Sequence, residues 1–183
     1  MRIIGGRMRG TKLFTLEGNN TRPTLDRVKE SLFNIINMKL QDATVLDLFG
    51  GSGALAIESI SRGASKAYIC DNSREAINVI KKNIEKTRTE EEIKIFDCNY
   101  EVCIEKITNK VDIIFLDPPY ESDYYKVALN KINECNILND DGLVVLETDD
   151  PERITKMIDD QIYNVTDKRK YGRVTLIFLN RKG

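Results

Sequence analysis

The chain has 183 residues, of which 28 are Lys or Arg and 29 are Asp or Glu, and its length suits one domain with a substantial core. The formal net charge is −1 and there is no histidine, which excludes His-based nucleophilic triads, imidazole proton shuttles and the commonest metal ligand. The four cysteines form no CxxC pair, which excludes a zinc ribbon and a disulfide framework and is typical of reduced thiols in a cytoplasmic protein.

The apolar runs of the chain are short. None approaches the roughly 18 apolar residues that a membrane span needs, and no charged-then-apolar leader is present. We therefore expect neither a membrane span nor a signal peptide. We also expect no metal, since the residues that most often bind one are absent or scattered.

The first part of the chain is basic and rich in glycine. Residues 1–40 carry eight Lys and Arg against three acids, and the remainder carries twenty against twenty-six. Residues 2–14 predict a small β-hairpin, so residues 1–20 are expected to form a basic extension of a main domain at 21–183. A basic N-terminal segment followed by an acidic remainder is typical of proteins that bind nucleic-acid phosphates, although a solvated charged face gives the same pattern. The candidate phosphate contacts are Arg7, Arg9, Arg22 and Arg27, and Arg22 could equally close over a cofactor.

The main domain predicts alternating helices and strands. Strands that alternate with helices of this length indicate a parallel sheet covered on both faces. The tail predicts an antiparallel hairpin at the sheet edge, with a basic turn at 168–172. The predicted fold is therefore α/β, a Rossmann-like, doubly wound, mainly parallel sheet of seven strands. Strands are predicted at 45–49, 67–70, 93–96, 111–116, 143–147, 163–166 and 174–179, and helices at 25–38, 54–62, 72–87 with Asn72 as cap, 101–107 and 124–135.

A glycine turn follows the first predicted strand. Gly50, Gly51 and Gly53 carry no side chains, so backbone N–H groups and a helix N-terminus can approach a ligand there. Asp71 follows about twenty residues later at the end of the second strand, where an acid can bind ribose hydroxyls. This combination fits NAD as well as S-adenosylmethionine, because both ligands present an adenosine ribose to that acid.

Asp47, which precedes the turn, favours S-adenosylmethionine. A carboxylate at this position would repel a pyrophosphate, but it can orient the turn or attract the ammonium group of a methionine moiety. After the third strand, Asn99 can accept a hydrogen bond from the adenine amine and donate one to a ring nitrogen, or it can cap the following helix. Phe49, at the end of the first strand, and Asn72, just after the second, complete the candidate cofactor-binding residues.

Asp117, Pro118, Pro119 and Tyr120 directly follow the fourth predicted strand, at the edge where open α/β sheets bind their ligands. Consecutive prolines donate no backbone hydrogen bonds and have a fixed φ, so they hold the Asp117 carboxylate and nearby carbonyl oxygens as a stiff array of acceptors. Such an array suits a flat group that bears an NH2, such as the exocyclic amine of a nucleobase stacked on Tyr120. The alternative is a strand that simply ends in a turn. A hydride-transfer enzyme has no evident use for this segment, so a methyltransferase is favoured over an NAD-dependent dehydrogenase.

With both motifs in place, the chain resembles the class I S-adenosylmethionine-dependent methyltransferases that modify exocyclic amines. More narrowly, it resembles the RsmD family, which methylates N2 of a guanine in bacterial 16S ribosomal RNA. The resemblance extends over nearly the whole chain, and its specific part is Arg22-Pro23-Thr24, since the glycine turn and Asp-Pro-Pro-Tyr are generic. The family often has alanine where Gly51 stands and an acid where Asn99 stands. The segments that carry the resemblance are residues 2–6, 22–24, 27–34, 46–55 and 117–120.

The resemblance implies that the candidate cofactor residues hold S-adenosylmethionine, with the glycine turn at its methionine end and Asp71 on its ribose. Asp117 and the carbonyl of Pro118 would then receive the guanine amine, while Tyr120 stacks on the base next to Pro119. The implied partner is 16S ribosomal RNA or the small ribosomal subunit, and we expect a monomer.

Three other functions are left open by the sequence. DNA adenine N6 methyltransferases share the Asp-Pro-Pro-Tyr motif, but they usually need extra sequence for base-specific readout of DNA. An NAD-dependent oxidoreductase would bind nicotinamide at the same turn. A non-catalytic RNA-binding or ribosome-assembly factor would have no need of an intact cofactor turn and amine site.

Overall fold

The computed structural model describes residues 1–16, 23–119 and 123–183, except for the side chains of residues 23–25. Within these residues the chain forms seven strands and six α-helices, none of which has the length and apolar character needed to cross a membrane. The elements in chain order are α1 (Pro23–Ile35), β1 (Thr44–Asp47), α2 (Ala54–Ser61), β2 (Lys66–Asp71), α3 (Arg74–Thr87), β3 (Ile93–Asp97), α4 (Tyr100–Lys106), β4 (Val111–Leu116), α5 (Tyr124–Glu134), β5 (Leu138–Thr148), α6 (Pro151–Met157), β6 (Tyr163–Tyr171) and β7 (Val174–Arg181).

The strands form one sheet in the order β3-β2-β1-β4-β5-β7-β6. β1 to β5 are parallel, because a helix between successive strands carries the chain back, whereas β7 runs antiparallel between β5 and β6. The chain leaves β1 toward β2 and β3 on one side and then continues with β4 and β5 on the other. A crevice opens at such a reversal, outside the carboxyl ends of the strands. The expected doubly wound, mainly parallel, seven-stranded sheet is confirmed.

Helices cover both faces of the sheet, because side chains alternate between the two faces along each buried strand. α1, α2 and α3 pack on the face that carries Phe115 and Val145, and α4, α5 and α6 pack on the face that carries Leu116 and Leu146. All four side chains are at most 2% exposed. The central strands are therefore buried on both sides, and the polar residues at their carboxyl ends are left to form a site.

The N-terminal segment packs on α2 instead of forming two full strands. Its strand-like pairing among the described residues is a single antiparallel bridge between Arg2 and Lys12. The backbone N–H groups of Ile4 and Gly5 donate to the Glu58 carboxylate on α2, at 2.9 and 2.8 Å. Backbone N–H groups of Ile3 and Leu13 donate to the carbonyls of Thr11 and Met1, both at 2.9 Å, so the expected β-hairpin is present but short. The division of the chain into an extension and a main domain stays a prediction.

Glu58 anchors this segment through a buried ion network. It is fully buried, and it contacts the Lys29 ammonium of α1 at 3.2 Å and the Arg62 guanidinium at 2.8 Å. Lys29 also donates to the carbonyl of Arg2. Burial lowers the pKa of Lys29, while the charge of Glu58 opposes that shift. Because removal of one charge would leave another unpaired in the core, the network ties the N-terminal segment firmly to α1 and α2.

Two sequence-based predictions about turns and caps are corrected. The N-cap of α3 is Ser73, whose hydroxyl accepts a backbone N–H of the first turn, and not Asn72. The basic residues 168–170 lie within β6 rather than in a turn. The hairpin closes later, because Gly172, with a φ of 63°, and Arg173 form a two-residue turn.

Two helical boundaries also differ from prediction. The helix expected at 25–38 ends at Ile35, and a short 3-10 turn at Asn37–Lys39 follows it. α6 was not predicted, because seven residues make too few turns to show an apolar period. Its start does carry a signal, since Asp150 caps the helix through its side chain and Pro151 occupies the first turn.

Candidate active site

The carboxyl ends of the parallel strands bring four acids to one edge of the sheet. Asp47 ends β1, Asp71 ends β2, Asp117 follows β4, and Glu147 lies near the end of β5. A cavity of about 250 Å³ opens at this edge. A wider, open groove of about 550 Å³ over α3 and β3 is lined mainly by lysines and glutamates and contains no predicted site residue. Among the described residues, the lining of the smaller cavity includes four predicted cofactor residues and one residue of the amine segment, namely Phe49, Asp71, Asn72, Asn99 and Pro119. The glycines of the turn, Asp47 and Asp117 lie outside this lining.

The glycine turn is shaped by backbone hydrogen bonds and by close approach to β2. The N–H of Gly50 donates to the carbonyl of Cys70 at 2.8 Å, and that of Gly53 donates to the carbonyl of Gly50 at 2.7 Å. A Cβ atom on Gly50 would lie 2.3 Å from Cγ2 of Ile69, so a side chain does not fit there. Gly53 is the N-cap of α2, and no side chain among the described residues caps this helix start. The N–H groups of the first turn of α2, directly after Gly53, are therefore left for a ligand.

Asp71 joins the glycine turn to the start of α3. Its carboxylate accepts the N–H of Gly51 at 2.9 Å through one oxygen and the N–H of Ser73 at 2.9 Å through the other. A carboxylate can accept about four hydrogen bonds, so two positions are left for hydroxyl groups of a ligand. The half-buried Asp71 lines the cavity, and its expected contact with a ribose stays a prediction.

Asp47 is buried directly before the turn. It is 2% exposed, and the backbone N–H of Phe49 donates to its carboxyl group. Burial raises the pKa of Asp47 to about 7 with some help from the charge of Asp71, while the bond from Phe49 opposes the shift. The carboxyl is therefore divided between its two protonation states at neutral pH, and a cation bound nearby would favour the charged one. The bond from Phe49 agrees with a role in orienting the turn, and attraction of an ammonium group stays a prediction.

Three aromatic rings stand together at the cavity. The rings of Phe49 and Tyr124 are parallel within 5°, with centroids 6.1 Å apart, and Tyr100 lies 5.3 Å from Phe49 and 5.2 Å from Tyr124. All three rings line the cavity together with Asn72 and Asn99, and Tyr100 is tilted by 40° to 46° against the other two. Sequence reasoning did not identify this cluster, because Tyr100 belongs to α4 and Tyr124 to α5 and no spacing connects them.

Asn99 caps α4. Its Oδ1 accepts the N–H of Glu101 at 2.8 Å and that of Val102 at 3.2 Å. These bonds fill the acceptor capacity of the oxygen, so the side chain can offer the cavity its NH2 donors but no acceptor for an adenine amine. Of the two roles expected for Asn99, the helix cap is present. Its contact with a cofactor stays a prediction, now restricted to donation.

Asp117 and Glu147 lie side by side at the ends of β4 and β5. The register pairs Leu116 with Leu146, so the next residues of the two strands stand opposite each other. Asp117 is an exposed residue directly after β4, although protein surrounds its carboxyl group. This burial, together with the negative charges of Glu147 and Asp47, raises the pKa of Asp117 well above its usual value. Burial also raises the pKa of Glu147, a residue that sequence reasoning missed because an acid ending an apolar strand forms no motif.

The two prolines continue from Asp117 toward the cavity. Pro118 is buried, whereas Pro119 is exposed and lines the cavity. Tyr120 lies outside the described residues, so its stacking role stays a prediction. In the described part of the chain, no group of three or more Cys, Asp or Glu side chains is arranged to hold a metal ion.

Asn83 of α3 connects the glycine turn to the N-terminal segment. It is fully buried, and its Nδ2 donates to the carbonyls of Ser52 at 2.9 Å and Phe14 at 3.0 Å. Its Oδ1 accepts the N–H of Phe14 at 2.8 Å. Asn83 therefore holds the middle of the turn in place. The sequence showed only the isoleucines on the inner face of this helix and gave no signal for a buried amide among them.

The predicted phosphate contacts are not gathered in one place. Arg7 is paired at 2.6 Å with Glu92, which directly precedes β3, so Arg7 lies at the amino-terminal edge of the sheet, opposite the cavity. Arg9 is exposed on the same N-terminal segment, and Arg27 is exposed on α1. Arg22 lies outside the described residues. Contact with nucleic acid stays a prediction for all four.

Comparisons with known proteins agree with this arrangement. A family profile described as Conserved hypothetical protein 95 matches residues 1–180. The chain is 33% identical over its full length to a Bacillus subtilis protein named as a candidate rRNA methyltransferase, YlbH, of which it covers 100%. It is 34% identical to the Haemophilus influenzae protein named ribosomal RNA small subunit methyltransferase D, over 81% of this chain and 79% of that one. A solved structure from Escherichia coli, described as a candidate methyltransferase, yhhF, has a TM-score of 0.86 at 28% identity and covers 100% of this chain and 98% of that one.

Proposed function

This chain belongs to the conserved hypothetical protein 95 family, the RsmD family, and on that premise we propose that it methylates 16S ribosomal RNA. The proposed reaction transfers a methyl group from S-adenosylmethionine to the exocyclic N2 amine of a guanine in the small ribosomal subunit. One observation carries the proposal. The acceptor segment that begins at Asp117 ends β4 so that Pro119 shares a cavity wall with Phe49 and Asp71. The names of the related proteins support ribosomal RNA as the substrate class.

The donors and acceptors of the cavity fit S-adenosylmethionine. Asp71 has two acceptor positions left for ribose hydroxyls. The rings of Phe49 and Tyr124 and the NH2 group of Asn99 would contact the adenine. The N–H groups at the start of α2, directly after the glycine turn, and the carboxyl group of Asp47 would hold the amino-acid end. S-adenosylmethionine supplies a methyl group on a positively charged sulfur, which makes the methyl carbon electrophilic.

The amine site acts on the nucleophile. The carboxylate of Asp117 and the carbonyl of Pro118 accept the two hydrogens of the guanine amine, which pulls them out of the ring plane and localises the nitrogen lone pair. Positioning of the two reactants supplies most of the rate enhancement. The nitrogen becomes cationic and acidic once it is methylated. Asp117 can take the proton, because burial and neighbouring carboxylates raise its pKa.

The RNA must present an unpaired or extruded guanine to reach this site. Tyr120 would stack on the base, since it follows the acceptor segment directly. Arg9, Arg22 and Arg27 would neutralise phosphates of the bound RNA. Arg7 would contribute least, because Glu92 already neutralises its guanidinium.

Transfer of labelled methyl from S-adenosylmethionine tests this function. The acceptors are small ribosomal subunits, free 16S RNA and duplex DNA, all from cells that lack the activity, and the products are analysed as nucleosides. We expect label in N2-methylguanosine from a ribosomal substrate, and we expect Asp117→Ala to abolish it. Label in N6-methyladenine would move the substrate to DNA, and no label in any acceptor would favour a non-catalytic RNA-binding factor.

A further inference from the structure

We propose that Asp117 and Glu147 form one coupled carboxyl pair that binds a single proton tightly, with Glu147 as the positioning residue that makes Asp117 a stronger proton acceptor. The role of this pair in catalysis rests on the proposed function. The pair itself is a property of the free protein, so the two can be tested separately.

The register of the sheet brings the two side chains together. Leu116 of β4 is paired with Leu146 of β5, and both face the side covered by α4, α5 and α6. Since side chains alternate along a strand, Asp117 and Glu147 both point to the opposite side, on neighbouring strands about 4.8 Å apart. The hydroxyl of Tyr125 on α5 donates to the backbone carbonyl of Glu147 at 2.5 Å, which fixes the end of β5. The two carboxyl groups are thus held as neighbours by the sheet.

The surroundings of the pair favour proton sharing. Burial of the two carboxyl groups raises the pKa of each, although Asp117 as a residue is exposed, and Asp47 on β1 faces the same side of the sheet and adds a further negative charge. Two like charges in such a place repel each other, so the last proton leaves the pair only at a higher pH than it would leave an isolated carboxyl group, and above that pH both groups are ionised.

Three charged groups on neighbouring elements, within the part of the chain that the structure describes, are engaged elsewhere or act in the same direction. Across the sheet, Glu147 is paired with the apolar Leu176 on β7, and Leu176 is paired in turn with Arg169 on β6. Arg169 is paired with Asp167 at 2.8 Å. On α1, Lys29 is paired with the fully buried Glu58. On β2, Asp71 acts on Asp47 and so supports the negative potential at this edge of the sheet.

The pair gives the released proton a defined destination. In the active form both carboxyls are ionised, and Asp117 accepts the amine hydrogens. The amine nitrogen forms its bond to the methyl carbon as the S–C bond breaks, and the electron pair of that bond stays on sulfur, which loses its positive charge. The extra proton on the methylated nitrogen passes to Asp117, where the negative charge of Glu147 stabilises it. It then leaves to water through the exposed side of Asp117.

Titration of carboxyl carbons by NMR in the full-length free protein tests the pair. In the unsubstituted protein we expect the titration curves of Asp117 and Glu147 each to show the same two inflections, since the charge of each group changes the signal and the pKa of the other. In Glu147→Gln, Asp117 should titrate in one step at least about one pH unit lower, because the neighbouring charge is gone. The acid limb of the pH–rate profile for methyl transfer should move to lower pH by the same amount. Glu152→Gln removes an exposed acid of α6 and should change neither profile.

An unchanged Asp117 titration in Glu147→Gln would overturn the proposal. Independent single inflections of the two signals in the unsubstituted protein would overturn it as well, and that measurement needs no variant to fold. A merely structural role of Glu147 would lower the rate without moving the acid limb. If the two signals are coupled and no RNA accepts a methyl group, the pair stands and the proposed function fails.

Discussion

The carboxylate of Asp71 accepts the backbone N–H of Gly51 at 2.9 Å, so the acid expected to hold a ribose is joined to the turn expected to hold the methionine end of the cofactor. The other oxygen of Asp71 accepts the N–H of Ser73 and so fixes the start of α3. The ends of β1 and β2 and the start of α3 are therefore aligned by the chain's own hydrogen bonds. Such preorganisation reduces the entropy that a ligand loses on binding.

Asp71→Asn should weaken S-adenosylmethionine binding about tenfold or more. The amide oxygen can still accept the N–H of Gly51, but the charge and part of the acceptor capacity are lost. Isothermal titration calorimetry measures the affinity, and thermal unfolding checks that the fold is intact. Asp160→Asn, at an exposed acid between α6 and β6, is the matched control and should bind as the unsubstituted protein does. Equal affinity in both variants would remove Asp71 from the cofactor site.

Gly50→Ala and Gly51→Ala should differ in stability although they are neighbours. A Cβ on Gly50 would meet Cγ2 of Ile69 at 2.3 Å, so we expect a loss of about 1–3 kcal/mol from overpacking. A Cβ on Gly51 meets no atom within 4 Å, so its cost comes only from the φ of 54° and is about 1 kcal/mol. Urea unfolding of both variants measures the difference. A larger loss for Gly51→Ala would contradict the close approach of Gly50 to β2.

Asp47 should make cofactor affinity depend on pH. Burial raises the pKa of Asp47 to about 7, so the free protein holds this carboxyl protonated at lower pH, and a bound ammonium group would have to displace the proton. Affinity should therefore fall as pH drops below 7, by up to about tenfold per unit. Calorimetry across this range measures the slope, which Asp47→Asn should remove. A slope that persists in Asp47→Asn would show that another group is titrating.

The same residue should also contribute to the pH dependence of folding. The folded-state pKa of Asp47 lies above the unfolded value, so the folded chain binds the proton more tightly. This contribution to stability is complete below the unfolded pKa and is lost as pH rises through about 7.

Asn83→Ala should destabilise the protein by about 2–4 kcal/mol, because it leaves the carbonyl of Ser52 and both backbone groups of Phe14 without their buried partner. It should also weaken S-adenosylmethionine binding, since Ser52 lies within the glycine turn. Denaturant unfolding and calorimetry measure the two effects. Asn164→Ala, at an exposed position of β6, should stay within about 0.5 kcal/mol of the unsubstituted protein. Normal cofactor affinity in a folded Asn83→Ala would show that the amide does not position the turn.

The arginines should differ in their contribution to RNA binding. Arg9→Ala and Arg27→Ala should each lower the salt slope of binding by about 0.7–0.9, as expected for the loss of one phosphate contact. Arg7→Ala should change it less, because Arg7 is paired with Glu92. Affinities for 16S RNA at several salt concentrations measure these slopes, with the exposed Lys81→Ala of α3 as control. Unchanged slopes for Arg9→Ala and Arg27→Ala would remove the basic N-terminal segment and α1 from the RNA interface.

Local patterns in the sequence were enough to predict the doubly wound sheet, the glycine turn and the position of Asp117 at the end of β4. Each of these depends on residues close in the chain, such as an apolar run or a group of glycines, so the physical cause lies within the segment. The same local reasoning placed the cap of α3 on Asn72 and a turn at 168–172. The first error concerns two adjacent residues, and the second concerns where a strand ends and its turn begins, which is the least certain part of an element in a sequence.

The sequence by itself determined the kind of fold and the chemistry available at the carboxyl edge of the sheet, because strand periods and special residues act within a few positions. Only the tertiary structure decided which groups meet there. The proximity of Asp117 and Glu147 depends on the register of β4 and β5. The hydrogen bond from Asn83 to the carbonyl of Ser52 depends on how α3 packs against the glycine turn. Contacts between distant segments come from the packing of the whole chain, which no local pattern records.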